Sequence, residues 1–488
     1  MNRLTVHVSR FDPESDETSH LETYYINARE GARVLHVLHA IHDEVDPTLM
    51  YRYCCGTGQC GSCAVRVNGE PVLACMEEAR DNIRIEPLNL PVIKDLAVDL
   101  IPYISALPVI TIEESAAPRM PAPDIVDRIK PLRTCINCMA CVSVCPALQV
   151  TTFAGPTAMR QEMRLALDPR DRPDRPAEAV NQGLFTCTSC QACWKVCPKA
   201  IQIPGKAIEK LRAMAHYEGH TLPRHAEVAC LIRESGRSVV HGDEPSFLEQ
   251  TAEVIEPYGP VKGTVGFFVG CMYNLRLPKT ALDALEVLRR NGIRVIIPHE
   301  QICCGSPLIR TGQPEYLETL QVKNIGAFTT CGTDIVMTMC AGCGSTLKHD
   351  YTTPFTVMDF SEVLEKFGIE TPSHLDIVVT YHDPCHLARG QEITEQPRVL
   401  LRQVADLVEM PAICCGSGGG VRSGLPEEAA ALGERRRAEI EKTGAEMVVT
   451  CCPFCEFHIS GHTDKPVRHL ATLMMQGYKE KDAEKGTK

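Results

Sequence analysis

A pair of adjacent cysteines stands twice in the same short context, as ICCGSP from Ile302 and as ICCGSG from Ile413. Neighbouring Cα atoms lie about 3.8 Å apart, below the roughly 4.4–6.8 Å that a disulfide spans, so neither pair is built to bond to itself. Each pair belongs to a set of five thiols. The first is Cys271, Cys303, Cys304, Cys340 and Cys343, spaced C-x31-CC-x35-C-x2-C. The second is Cys385, Cys414, Cys415, Cys452 and Cys455, spaced C-x28-CC-x36-C-x2-C. Five thiols exceed the four ligands of a tetrahedral zinc ion or an ordinary iron–sulfur cubane. A zinc site using four of the five is the plain alternative.

Three further groups have ligand spacing. Cys55, Cys60, Cys63 and Cys75 give C-x4-C-x2-C-x11-C, and the first spacings are those of a plant-type [2Fe–2S] loop. Its glycines let the backbone fold tightly and aim N–H groups at sulfur. Cys54 comes one position too early and is read as a non-ligand. CINCMACVSVCP and CTSCQACWKVCP are both C-x2-C-x2-C-x3-C-P, a run in which the fourth cysteine ligates the other of two clusters. The expected sets are Cys135, Cys138, Cys141 and Cys197 for one [4Fe–4S] cluster, and Cys187, Cys190, Cys193 and Cys145 for the other. Cys230, Cys331 and Cys451 fit no motif and are read as small buried residues.

The elements that must position these thiols follow from the patterning. Residues 1–95 alternate, as in Leu4–Val8 and in Ala64–Val67 before Asn68-Gly69, which predicts a small β-rich domain with a hairpin. Residues 96–215 carry a more helical pattern around the two ferredoxin runs. Residues 216–262 have no clear motif and are read as a connector. The rest repeats internally: GTVGFFVGC matches DIVVTYHDPC, and DIVMTMCAGC matches AEMVVTCCPFC. In each half, β-branched runs end in cysteine and helical stretches such as Ala281–Arg290 and Pro426–Lys442 lie between them, which predicts an α/β unit present twice, at 263–372 and 373–488.

The chain has 488 residues, 26 cysteines and a net charge of −12, with 44 % hydrophobic residues. The acidity argues against a broad nucleic-acid surface. The most apolar stretch, Leu96–Ile112, is broken by Asp99, Pro102 and Pro108, and the N-terminus lacks the apolar core of a signal peptide. A cytoplasmic chain is expected, in which so many thiols mean metal or redox chemistry rather than disulfides.

On CGSCAVRVNG, PVIKDLAVDL, FAGPTAMR and VCPKAI, residues 1–215 resemble the iron–sulfur subunits of succinate dehydrogenases and fumarate reductases. That resemblance implies a β-grasp [2Fe–2S] ferredoxin domain followed by an α-helical dicluster ferredoxin domain. Many members of that family lack a cysteine in the second run and hold a [3Fe–4S] cluster beside a quinone site; Cys190 fills that position here, which implies two [4Fe–4S] clusters. Residues 263–470 resemble the paired CCG domains of heterodisulfide reductases, which implies a non-cubane [4Fe–4S] cluster on each five-cysteine set. Joined, the two parts resemble the B subunits of the thiol:fumarate reductases of methanogens. The resemblance implies oxidation of coenzyme M and coenzyme B thiols to their heterodisulfide, with electrons passed to FAD on a partner subunit that reduces fumarate. The alternatives are an iron–sulfur relay of a heterodisulfide reductase, succinate:quinone, glycolate or glycerol-3-phosphate oxidising complex, and a zinc-stabilised docking scaffold. His386, beside Cys385, is the candidate proton acceptor, because thiol oxidation releases protons and histidine titrates in the right range. Arg310, Arg389 and Arg422 are candidates for sulfonate or phosphate groups on the thiols. The glycines from Gly416 to Gly420 fail the dinucleotide spacing and are read as allowing close backbone approach.

Overall fold

The computed structural model describes residues 2–112 and 120–486, in two compact units. One comprises the residues up to 184 with 191–211; the other comprises 185–190 with the residues from 212 onward.

The first unit opens with β1 (Asn2–Arg10), β2 (His20–Ala28), β3 (Ala64–Val67), β4 (Glu70–Leu73) and β5 (Ile83–Glu86), in the sheet order β2-β1-β5-β3-β4. β1 and β5 are parallel, and the other neighbours are antiparallel. The alternation in β1 buries Leu4, Val6 and Val8 on one face. The helix Val34–Ala40 covers that face with Val34, Leu35, Val37 and Leu38, each contributing roughly 1.5–3 kcal/mol of burial. Asn68 and Gly69 both have positive φ, 50° and 87°, as the two-residue β3–β4 hairpin requires. A short pair, β6 (Val92–Lys94) and β7 (Ala97–Val98), brackets Asp95. Buried Asp95 accepts from Arg10 Nε (3.0 Å), Phe11 N (3.0 Å) and Met50 N (2.8 Å). Replacing it with Asn keeps the shape but removes the charged acceptor, and should cost about 1.5–3 kcal/mol, read as a lower first transition in calorimetry. Short helices follow, among them Ala140–Ser143, Pro156–Ala166 and Ala192–Lys195.

The second unit holds two sheets of one plan. The first is built from β8 (Val254–Ile255), β9 (Gly263–Phe268), β10 (Ile293–Ile296), β11 (Ile335–Thr338) and β12 (Thr356–Asp359), in the order β12-β11-β9-β10-β8. It is parallel except for the β8 edge. The second is built from β13 (Val378–His382), β14 (Asp406–Val408), β15 (Met447–Thr450) and β16 (Val467–His469), in the order β14-β13-β15-β16, and is parallel throughout. With β8 set aside, the two orders coincide, so the repeat in sequence is a repeat in structure. In each sheet the chain leaves its first strand to one side and later returns to the other. The resulting switch point, at the carboxyl ends, lies between β9 and β11 in one half and between β13 and β15 in the other. Cys271 and Cys340 follow the strands flanking the first point, and Cys385 and Cys452 those flanking the second.

The segment 216–262 is more than a connector. It contains the helices Pro223–Ser235 and Phe247–Gln250, and β8 joins a sheet. Among the described residues, no helix is long and apolar enough to cross a membrane.

Candidate metal centres

In the first unit, backbone N–H groups converge on the predicted [2Fe–2S] cysteines. Thr57 N and Gln59 N lie 3.4 and 3.3 Å from Cys55 Sγ, Cys55 N lies 3.5 Å from Cys60 Sγ, and Gly58 N lies 3.3 Å from Cys75 Sγ. These donors draw Cys55 down to about 6, whereas burial pushes Cys63 up to about 12. Cys54 is exposed. A Cβ on Gly61 (φ 76°) would meet Cys138 Cβ and Ile136 O, both at 2.8 Å, so this loop packs directly on the first ferredoxin run.

That run and the second use the same backbone device. Asn137 and Met139 in one, and Ser189 and Gln191 in the other, all have φ between 50° and 64°. Left-handed residues at alternate positions turn the N–H groups around them toward a common centre. Asn137 N lies 3.5 Å from Cys135 Sγ, and Ser189 N lies 3.4 Å from Cys187 Sγ. Cys197, distant in sequence, lies close enough to Cys138 and Cys141 to raise both electrostatically. Cys187 and Cys190 fall in the second unit, and Cys145, Cys193 and Cys197 in the first.

In the second unit, all ten cysteines of the two five-thiol sets line one cavity of about 770 Å³. Sulfur contacts run Cys271–Cys303–Cys304–Cys343–Cys340 in the first half and Cys385–Cys414–Cys415–Cys455–Cys452 in the second, and Cys340 meets Cys452. Cys415 and Cys455 are 3.6 Å apart at sulfur. The pairs sit ahead of positive-φ glycines, Gly305 (80°) and Gly416 (99°), whose N–H groups approach Cys303 and Cys414 respectively, each at 3.4 Å. Thiol donors draw Cys304 down to about 6. Convergent sulfurs fed by backbone donors form a soft ligand set, which fits iron or zinc and offers nothing to a hard cation. Cys451 is buried beside Tyr381 and off the cavity, which keeps Cys452 as the inward thiol; Cys230 and Cys331 are only half-buried.

His386 lines the cavity and its Nε2 lies 3.0 Å from Ser189 O. A carbonyl only accepts, so Nε2 carries the ring proton and Nδ1 is the basic nitrogen. Burial first, and then the positive charge of Arg310, push this histidine down to about 4. Arg310 and Arg422 line the cavity; Arg310 pairs with Asp350 at 2.9 Å, and Arg422 lies 4.2 Å over the Phe457 ring. Arg389 does not line it. Its guanidinium is taken up by Ala412 O, Cys190 O (3.4 Å) and Cys385 Sγ (3.5 Å). The glycine run packs on main chain: a Cβ on Gly419 would clash with Cys187 O.

Sequence reasoning missed the wall supplied by the helix Pro223–Ser235 and the segment after it, including His225, Val228, Leu231 and Val239, and it missed Arg276. Ser238 N also approaches Cys271 Sγ at 3.4 Å. No local signal announces these residues, because their role arises only from packing over the cavity.

Cysteine loops of these kinds define an iron–sulfur electron-transfer protein, and comparison with known proteins makes the class specific. The chain matches a 2Fe-2S iron-sulfur cluster binding domain over residues 5–105, a 4Fe-4S dicluster domain over 131–201, and the CCG cysteine-rich domain over 265–348 and 379–460. It is 42 % identical over 476 residues to the B subunit of the fumarate reductase (CoM/CoB) of Methanothermobacter marburgensis, covering 95 % of each chain. It is 28 % identical over 371 residues to the D subunit of the dihydromethanophenazine:CoB–CoM heterodisulfide reductase of Methanosarcina acetivorans, covering 68 % of this chain and 89 % of that one. It is 34 % identical over 237 residues to the fumarate reductase iron-sulfur subunit of Mycobacterium tuberculosis, covering 44 % of this chain and 95 % of that one. The chain belongs to the family of fumarate reductase (CoM/CoB) B subunits, and it is an oxidoreductase subunit.

Proposed function

We propose that this chain is the iron–sulfur subunit of a thiol-driven fumarate reductase, oxidising coenzyme M and coenzyme B thiols to their heterodisulfide in the ten-cysteine cavity. The observation that carries the reading is that both five-thiol sets line one cavity, in a chain that also carries a fumarate-reductase-type ferredoxin module. In this reading, the two five-thiol sets each hold a non-cubane [4Fe–4S] cluster. Cys135, Cys138, Cys141 and Cys197 hold one ordinary [4Fe–4S] cluster, and Cys187, Cys190, Cys193 and Cys145 the other. Cys55, Cys60, Cys63 and Cys75 hold the [2Fe–2S] cluster. Bound clusters supply one-electron steps, which no side chain here can. Two thiols give one disulfide, two protons and two electrons; a partner subunit with FAD spends two electrons and two protons on the double bond of fumarate.

The chain's own residues enclose and orient the thiols. A cavity of about 770 Å³ is of the size that holds small ligands. Cys304, drawn toward the thiolate, marks the first set, and the His386 Nδ1 is the candidate relay for a released proton, one that passes it on rather than holding it, because its site keeps the ring down to about 4. Arg422 and Arg276 meet the anionic ends. Arg422→Met should raise KM for the anionic thiol about tenfold or more at unchanged kcat, as expected for a lost charged contact of roughly 1.5–3 kcal/mol.

The test is to assemble the chain with its flavin partner and supply the two thiols as sole donors. Fumarate reduction supports the reading; reduction with a quinol and none with thiols moves it to the membrane-relay alternative. Similarity to the heterodisulfide reductase relative favours a second reading, in which the same cavity cleaves the disulfide and electrons flow the other way.

A further inference from the structure

The structural repeat lets each residue beside one cysteine set be compared with its counterpart beside the other. Phe268 ends β9 and pairs with Thr338 at the end of β11; His382 ends β13 and pairs with Thr450 at the end of β15. The two residues therefore hold one position, apolar in the first half and imidazole in the second. A ring nitrogen of His382 and the sulfurs of Cys415 and Cys455 all lie within 4.8 Å of one another. His382 is fully buried, and its Nε2 has no hydrogen-bond partner.

A second difference lies on the helices behind the vicinal cysteines. In the first half, Asn324 on the helix Leu317–Thr330 accepts from Ile302 N at 2.9 Å and donates to Cys303 O at 3.1 Å. The offset that separates Cys340 from Cys452 carries Asn324 onto Arg436, on the helix Pro426–Lys442. Arg436 is 1 % exposed and donates to Pro411 O at 2.9 Å and to Ile413 O at 3.4 Å. Its Nη1 also lies 3.4 Å from His382 Nδ1. A guanidinium only donates, so Nδ1 accepts and the ring proton sits on Nε2. The Nε and Nη2 of Arg436 also lack partners. Three buried donor nitrogens without acceptors are costly unless an anionic occupant of the neighbouring site accepts from them.

We infer that His382 and Arg436 are positioning residues that offer N–H donors and positive charge to the occupant of the second cysteine set, making it easier to reduce than the occupant of the first. The inference rests on the reading that both sets hold iron–sulfur clusters. Reduction adds negative charge, and cluster potentials respond to net charge and to hydrogen bonds at sulfur. Phe268 offers no donor, and Asn324 is neutral with its amide engaged by main chain. Electrons taken from thiols then settle on the second set, whose Cys414 is in contact with Cys190.

The test is an EPR-monitored redox titration of the full-length, cluster-loaded chain, with iron content measured first. Wild-type protein should give two C-terminal signals of different potential. His382→Phe and Arg436→Asn, which import the residues of the first half, should each lower the higher potential by a factor of ten or more in equilibrium constant, about 59 mV for one electron. His382→Gln and Arg436→Lys, which keep an N–H and the charge, should recover most of that shift. An unmoved potential in iron-replete variants overturns the inference. A measurement on wild-type protein guards against variants that fail to fold: with 15N-labelled histidine, pulsed EPR should find nitrogen coupling on the higher-potential signal, and its absence there overturns the inference. A wild-type chain without iron at the second set overturns the cluster reading itself, and the inference with it.

Discussion

Cys304→Ala should abolish thiol oxidation by the assembled complex while leaving dye-linked fumarate reduction intact. Cys304 is buried, contacts both Cys303 and Cys343, and is the thiol of its set drawn down to about 6. On the proposed reading, alanine removes one of five ligands and leaves the cavity wall in place. The expected loss is more than about 100-fold, beyond the roughly 10–100-fold that losing an outer-shell partner costs. On the proposed reading, a reduced dye would deliver electrons to the flavin partner without passing through the C-terminal repeats, so that half-reaction should keep its rate. Loss of both activities would mean that the two halves of the chain do not work as separable modules. Retention of both would take Cys304 out of the ligand set.

Cys190→Ala should break the coupling and spare each half-reaction. Within the second unit, Cys190 is in contact with Cys414, its carbonyl accepts from Arg389, and Arg389 also approaches Cys385 Sγ. This residue thus belongs both to a ferredoxin run and to the surroundings of the second five-thiol set. Many members of the succinate dehydrogenase and fumarate reductase family that the first part resembles lack this cysteine and hold a [3Fe–4S] cluster. The variant should therefore change its EPR signature in that direction. Thiols should still bleach the C-terminal absorbance, and dye should still drive fumarate reduction, but thiol-to-fumarate turnover should fall at least about tenfold, no less than losing an outer-shell partner costs. An unchanged coupled rate with a changed spectrum would route electrons away from Cys190.

Clusters of thiols were legible in the sequence wherever the cysteines are neighbours. Cys135, Cys138 and Cys141 announce themselves because a wrapping loop brings residues three apart to one centre, and the left-handed Asn137 and Met139 make the turn. The repeat was legible because parallel strands buried on both faces read as β-branched runs, and their carboxyl ends carry cysteine. The fates of Arg389 and of the segment 216–262 were not legible. A guanidinium near a ligand cysteine looks the same in sequence whether it faces a cavity or main-chain carbonyls. The helix Pro223–Ser235 gains its role only by packing over residues far along the chain. His382 stood within a singled-out motif, but its difference from Phe268 becomes visible only when strand register equates them.

The measurement that tests the account most directly starts from anaerobically purified, oxidised protein. Coenzyme M and coenzyme B thiols are added singly and then together, and cluster reduction is followed by absorbance and EPR. Reduction by the pair, with neither thiol alone nor a quinol sufficing, is the predicted result. Reduction by quinol with no response to the thiol pair would contradict the assignment of the ten-cysteine cavity to thiol oxidation.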